Sequence, residues 1–131
     1  MKTVLLLGFL AAATASQASA QEQNRWLWIG DSAGGNKISI DRETLMQKDG
    51  AVTAWVRTTY TGSRPAGIPP NAANTSARVR FQCEAMTVTM LSYIVYTADG
   101  ESLDSSNVQG TTSPVIPESV NEMIWAVLCK Q

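Results

Sequence analysis

From residue 25 to residue 105 the chain repeatedly alternates between apolar and polar positions. In "ARVRFQC" (77–83), Ala77, Val79, Phe81 and Cys83 fall on one side of an extended chain, with Arg78, Arg80 and Gln82 on the other. In "AVTAWVRTTYT" (51–61), Val52, Ala54, Val56 and Tyr60 alternate with Thr53, Trp55, Arg57 and Thr59. In "NKISID" (36–41), Ile38 and Ile40 point inward and Lys37, Ser39 and Asp41 outward. A period of two, carried by β-branched and aromatic residues, is that of a strand with one buried face. The aromatic run "RWLWI" (25–29) predicts a further strand. "TVTMLSYIVYT" (87–97), apolar on both faces toward its end, predicts a central one. Asp99-Gly100 is a hairpin signal and makes "ESLDS" (101–105) a sixth strand.

The connections follow from the same pattern. A single extended element through both 77–83 and 87–97 would reach roughly 66 Å, too long for this domain, so a turn is expected near 84–86 although no Gly or Pro marks it. Gly34-Gly35 joins the first two strands tightly. "RETLMQKDG" (42–50) predicts a single helical turn before an Asp49-Gly50 turn. The segment 61–76 holds three prolines and two glycines and reads as an exposed loop, and 105–114 as a second loop.

The tail "VIPESVNEMIWAVLCK" (115–130) changes period. Val120, Met123, Ile124, Val127 and Leu128 follow helical spacing and form one apolar stripe. Pro117 suits a first helical turn, and Glu118 and Glu122 complement its positive end. Cys129 lies off the stripe, beside Trp125. Either the last turn frays, or the Trp125 side packs as well.

The first twenty residues stand apart. Lys2, the apolar run Val4 to Ala15 and Ala18-Ser19-Ala20 have the layout of a signal peptide, so residues 1–20 are expected to be removed and 21–131 to form one domain. About twelve apolar residues reach roughly 18 Å, short of a bilayer core, and no later run is long enough to span a membrane. No cysteine lies near the cleavage site for lipid modification. The chain is therefore expected to be exported, to the periplasm or the cell surface. Without residues 1–20 it keeps nine basic against eleven acidic residues, a net charge of −2. That balance argues against nucleic acid as a partner.

Export bears on the two cysteines. In an oxidising compartment they invite a disulfide, and Cys83 with Cys129 is the one intramolecular pairing available. Free reactive thiols and an intermolecular bridge are the alternatives. The pair is not Cys-x-x-Cys, and there is no histidine to raise thiolate character. A bridge brings Cα atoms within about 4.4–6.8 Å, so the helix end would lie over the apolar side of the sheet, toward which Cys83 points.

Candidate chemistry is sparse. Zero histidines removes the commonest general base and metal ligand. Asp99 and Glu101 read as solvated turn residues, and "GDSAGG" (30–35) as a turn. Asn74-Thr75-Ser76 matches a glycosylation sequon. No catalytic residue, metal ligand or cofactor is predicted. The candidate partner-binding residues are Trp55, Arg57, Arg78 and Arg80, an aromatic among arginines on the outward face of the sheet. The competing reading is a solvated face with Trp55 covered by a loop or by "RWLW". The proline-rich loop 61–76 is a second candidate.

The ordered set of these pieces resembles a known family. An early "RWLWIG" strand, an "ISIDRETL" unit, "VTAWV", "RVRFQC", "SYIVYTADG" and a closing "VIPESVNEMIWAVLC" helix follow a signal peptide. This order is similar to that of the surface-adhesin protein E family of Gram-negative bacteria. The resemblance implies an α+β fold, a single antiparallel sheet of about six strands with a C-terminal helix packed on one face and tied by the disulfide. It further implies a non-enzymatic cell-envelope protein that binds a macromolecular, protein partner, with relatives that bind host extracellular-matrix and serum proteins. The alternative is a soluble periplasmic accessory or inhibitor protein with an internal bacterial partner.

Overall fold

The computed structural model describes residues 24–130. The expected signal peptide, residues 1–20, lies outside the described residues. At the centre of the sheet run three long antiparallel strands, β4 (Ala51–Thr59), β5 (Asn74–Gln82) and β6 (Thr87–Tyr96). Each outer edge of this triplet is completed by two shorter strands placed end to end. On β4 these are β2 (Lys37–Asp41), opposite 56–59, and β3 (Met46–Lys48), opposite 51–53. On β6 they are β7 (Ser102–Ser106), opposite 93–96, and β8 (Thr112–Pro114), opposite 87–89. Strand β1 (Trp26–Asp31) adds to β2 and forms one border. The result is one open antiparallel sheet with the path β1-β2-β4-β5-β6-β7.

Alternation sorts the side chains as the sequence predicts. Ile38, Ile40, Val52, Ala54, Val56, Val79, Phe81 and Val88 face one side and form a buried cluster. Onto that side packs helix α1 (Val120–Cys129), which contributes Ile124 and Leu128. Trp125 and Cys129 also pack against the cluster, so the Trp125 side of the helix is not left over. The Cys83–Cys129 disulfide closes the arrangement, with Cα atoms 5.5 Å apart across 46 residues. Helix and border strand approach closely at Gly30, where a Cβ would lie 2.9 Å from Met123 Sδ. No helix among the described residues is long and apolar enough to cross a membrane.

Several local expectations need correction. Segment 42–50 does not form a helical turn; it holds strand β3 and a tight hairpin into β4. Asp49 (φ 53°) and Gly50 (φ 78°) both adopt left-handed backbone, the geometry that matches the twist of a two-residue hairpin. The stretch 105–114 is not wholly loop, because β8 resumes the pairing that β7 leaves. Pro114 is tolerated there because this is an edge. Strand β5 begins at Asn74, three residues earlier than read, so the proline-rich loop is shorter. Pro117 precedes the helix. Glu118 (φ 62°) turns the chain, and Ser119 is the N-cap, its Oγ accepting from the Glu122 N–H at 3.2 Å. The unmarked turn near 84–86 is present, and Met86 (φ 51°) takes the conformation usually given to Gly.

The proline-rich loop is held at both ends. Asn36, itself buried, donates from Nδ2 to the Ser63 carbonyl at 2.6 Å and accepts from the Gly62 N–H at 2.9 Å. Arg64 donates to the Ala72 carbonyl at 2.9 Å, and the Ala73 N–H to the Tyr96 carbonyl at 2.7 Å. Each of these contacts satisfies loop backbone that a sheet no longer serves.

The candidate functional site on the open face

The face opposite the helix carries the other half of each alternation. Register places its side chains in rows. Trp28, Ser39, Arg57, Ser76 and Ile94 form one row across β1, β2, β4, β5 and β6. Trp26 stands opposite Asp41, and Trp55 opposite Arg78. Thr53 stands opposite Arg80. All four residues singled out in the sequence, Trp55, Arg57, Arg78 and Arg80, therefore share this face, and each is half-buried. No strand or helix among the described residues forms a layer over it.

The four are not gathered at one point. Trp55 and Arg57 line a cavity of about 490 Å³ whose walls also include Trp26, Asn74, Ile94 and Tyr96. Arg80 lines a separate hollow of about 310 Å³ with Met46, Asp49 and Thr53. Arg78 is not among the residues that line either hollow.

Two residues outside the sequence-based selection shape the larger cavity. The first is Trp26. The Arg57 guanidinium lies over its ring, 3.9 Å from the centroid. Such stacking fixes the plane of a cation that would otherwise sample many rotamers. The second is Asp41. It faces away from the apolar cluster, as the alternation requires, yet its exposure is 0%. Arg25 grips it with two hydrogen bonds, Nε to Oδ1 at 2.9 Å and Nη2 to Oδ2 at 2.8 Å. The Glu43 N–H and the Thr44 hydroxyl donate to the same carboxylate at 3.0 and 2.7 Å.

Burial alone raises the Asp41 pKa. The hydrogen bonds from Arg25, Thr44 and Glu43, with the Arg25 charge, outweigh it and hold the carboxyl below its ordinary value of 3.8. The same bonds bend the chain out of β2, which is how β2 and β3 come to share one edge of β4. No local periodicity announces this ion pair. The hint in the sequence is an aspartate ending an Ile-x-Ile strand, followed three residues on by threonine.

Among the described residues, basic side chains outnumber carboxylates on the strands of this face. Of its strand carboxylates, Asp41 is saturated by four donors, and Asp31 stands opposite Lys37 and accepts from the Trp28 indole at 3.1 Å. Arg57, Arg78 and Arg80 occupy the strands between and beyond them, in a chain whose net charge is −1. Asn74 sits on β5 with its Oδ1 buried and without a hydrogen-bond partner among the described residues. Such an orphaned acceptor costs about 1–3 kcal/mol. The sequon residue thus belongs to a central strand rather than to a loop.

Comparison with known proteins agrees with this geometry. The chain is similar in fold to protein E of Haemophilus influenzae in its crystal form II, with a TM-score of 0.61 and 12% sequence identity. The match covers 98% of this chain and 97% of that one. No curated protein matches the sequence. The family model described as surface-adhesin protein E matches residues 26–130, from the first residue of β1 to the C-cap of the helix. The chain belongs to the surface-adhesin protein E family.

Proposed function

We propose that this is a non-enzymatic, exported envelope protein that binds a protein partner through the open face of its sheet. The observation that carries the reading is the asymmetry of that sheet. One face is closed by a disulfide-tethered helix, and the other presents aromatic residues among arginines with no covering layer among the described residues. Tyr, Trp and Arg are the residue types that dominate interface energetics, because they combine large contact area with few rotatable bonds or with directed donors. An anionic contact surface on the partner complements Arg57, Arg78 and Arg80. Family membership favours a partner among host matrix or serum proteins.

The test has two parts. External protease is applied to intact cells, and the purified protein is titrated onto surfaces coated with serum or basement-membrane extract. Removal from intact cells, with saturable binding that Trp55→Ala weakens at an unchanged melting temperature, is the expected result. Survival until the outer membrane is breached, or binding indifferent to Trp55→Ala, contradicts it.

A further inference from the structure

Granted that the open face receives the partner, strand β5 sets the form that the partner takes there. We infer that the face receives an extended acidic segment of the partner, whose carboxylates at alternate positions meet Arg78 and Arg80.

The first observation is an interval. Arg78 and Arg80 lie two positions apart on β5, which keeps unbroken register with β4, where Trp55 and Thr53 stand opposite them. Two residues of an antiparallel strand rise about 6.8 Å, so the two arginine stems leave the sheet on one side at that spacing. An extended chain repeats its own side chains at the same interval and is no wider than the strand beneath it, whereas a helix is about 10–12 Å across.

The second is the state of the two cations. Neither arginine bridges a carboxylate among the described residues, and both are half-buried. Their neighbours across the strands are short, Thr53 and Thr89 beside Arg80 and Ser92 beside Arg78. A half-buried guanidinium is screened less than an exposed one, and its fork fits a carboxylate in a fixed direction, so spacing counts as well as charge.

The third is the hollow of about 310 Å³ that Arg80 shares with Met46, Lys48, Asp49 and Gln82. Arg80 and Lys48 outnumber Asp49, so its charge is positive. Met46, 58% exposed, adds an adaptable apolar contact beside these cations. That pairing suits an apolar side chain two positions beyond the second acid, on the side of Gln82. A sulfated sugar chain has no such side chain to offer.

The test uses the full chain and three probes. Two are blocked heptapeptides of one composition, two glutamates and a leucine among serines. In one the glutamates alternate with serine, and in the other they are adjacent, so that an extended chain turns them to opposite sides; the leucine keeps its place. The third probe is a sulfated heparin hexasaccharide. Binding is read from the backbone amide NMR signals of Thr53, Trp55, Arg78 and Arg80. The alternating peptide is expected to shift these signals and saturate. The adjacent-glutamate peptide should bind about fivefold or more weakly, as loss of one of two charge-assisted contacts implies. Arg80→Gln should erase the preference between the peptides. Should that variant not fold, Arg78→Gln, which leaves the hollow intact, should do the same.

Equal binding of the two peptides overturns the inference, and so does tighter binding of the hexasaccharide at the same signals or a response confined to other residues. If the peptides fail while Arg78→Glu/Arg80→Glu still abolishes capture on serum- or matrix-coated surfaces, the extended acidic segment falls and the partner-binding face stands. If both fail, the face itself is wrong.

Discussion

The indole N–H of Trp125 donates to the backbone carbonyl of Cys83 at 3.1 Å, across 42 residues of chain. This bond lies beside the disulfide and gives the end of the helix a second, non-covalent tie to the β5–β6 turn. Trp125→Phe keeps the ring and removes the donor. The half-buried carbonyl then lacks its partner, so a loss of about 1 kcal/mol is expected in denaturant unfolding, with the disulfide intact.

The covalent tie itself is worth more. Closing a 46-residue loop is expected to stabilise the fold by about 4 kcal/mol in the chain-entropy model. A Cys83→Ala/Cys129→Ala protein should unfold at much lower denaturant concentration. Intact-mass analysis of the exported product should show no free thiol.

Acid should find the Arg25–Asp41 pair first. A carboxyl held below its ordinary value in the folded state contributes stability that is fully present above the unfolded pKa, about 3.9. That contribution is lost as pH falls through the lower folded value. The melting temperature of the wild type should therefore drop below about pH 4. Asp41→Asn should be less stable at pH 7 and show a flatter decline in that window. A parallel decline would place the acid sensitivity elsewhere.

Loop anchoring is testable at Gly62. A Cβ there would run into the Gly34 carbonyl, which is backbone and has nowhere to go. Gly62→Ala should destabilise by about 1–3 kcal/mol, the usual cost of overpacking, whereas Gly67→Ala meets nothing nearby and tests the cost of positive φ alone.

These elements differ in how far the sequence discloses them. The long strands were legible because their alternation is strong, with Val79 and Phe81 against Arg78 and Arg80. The helix was legible from its stripe, and the disulfide from elimination once export was inferred. Strands β3 and β8 were not. "MQK" and "TSP" are exposed at every position, edge-bound and too short for any period to emerge, and their pairing is decided by the length of β4 and β6. The helix starts at Val120 rather than at Pro117, because the chain turns at Glu118, and that turn has no composition signal. At the candidate site, the strand-borne residues Trp55 and Arg57 were legible by parity. Trp26 stacked on Arg57, and Asp41 gripped by Arg25, depend on strands meeting across the fold.

The most direct measurement of the partner-binding face is the apparent Kd of the full chain for serum- or matrix-coated surfaces, compared with that of Arg78→Glu/Arg80→Glu. Both substitutions sit on half-buried positions of β5 outside the disulfide and the apolar cluster, so the melting temperature should stay within a few degrees. Binding by the charge-reversed protein should be at least about tenfold weaker, with the wild-type affinity falling as salt is raised. Equal affinity for the two proteins at every salt concentration would contradict the assignment of this face.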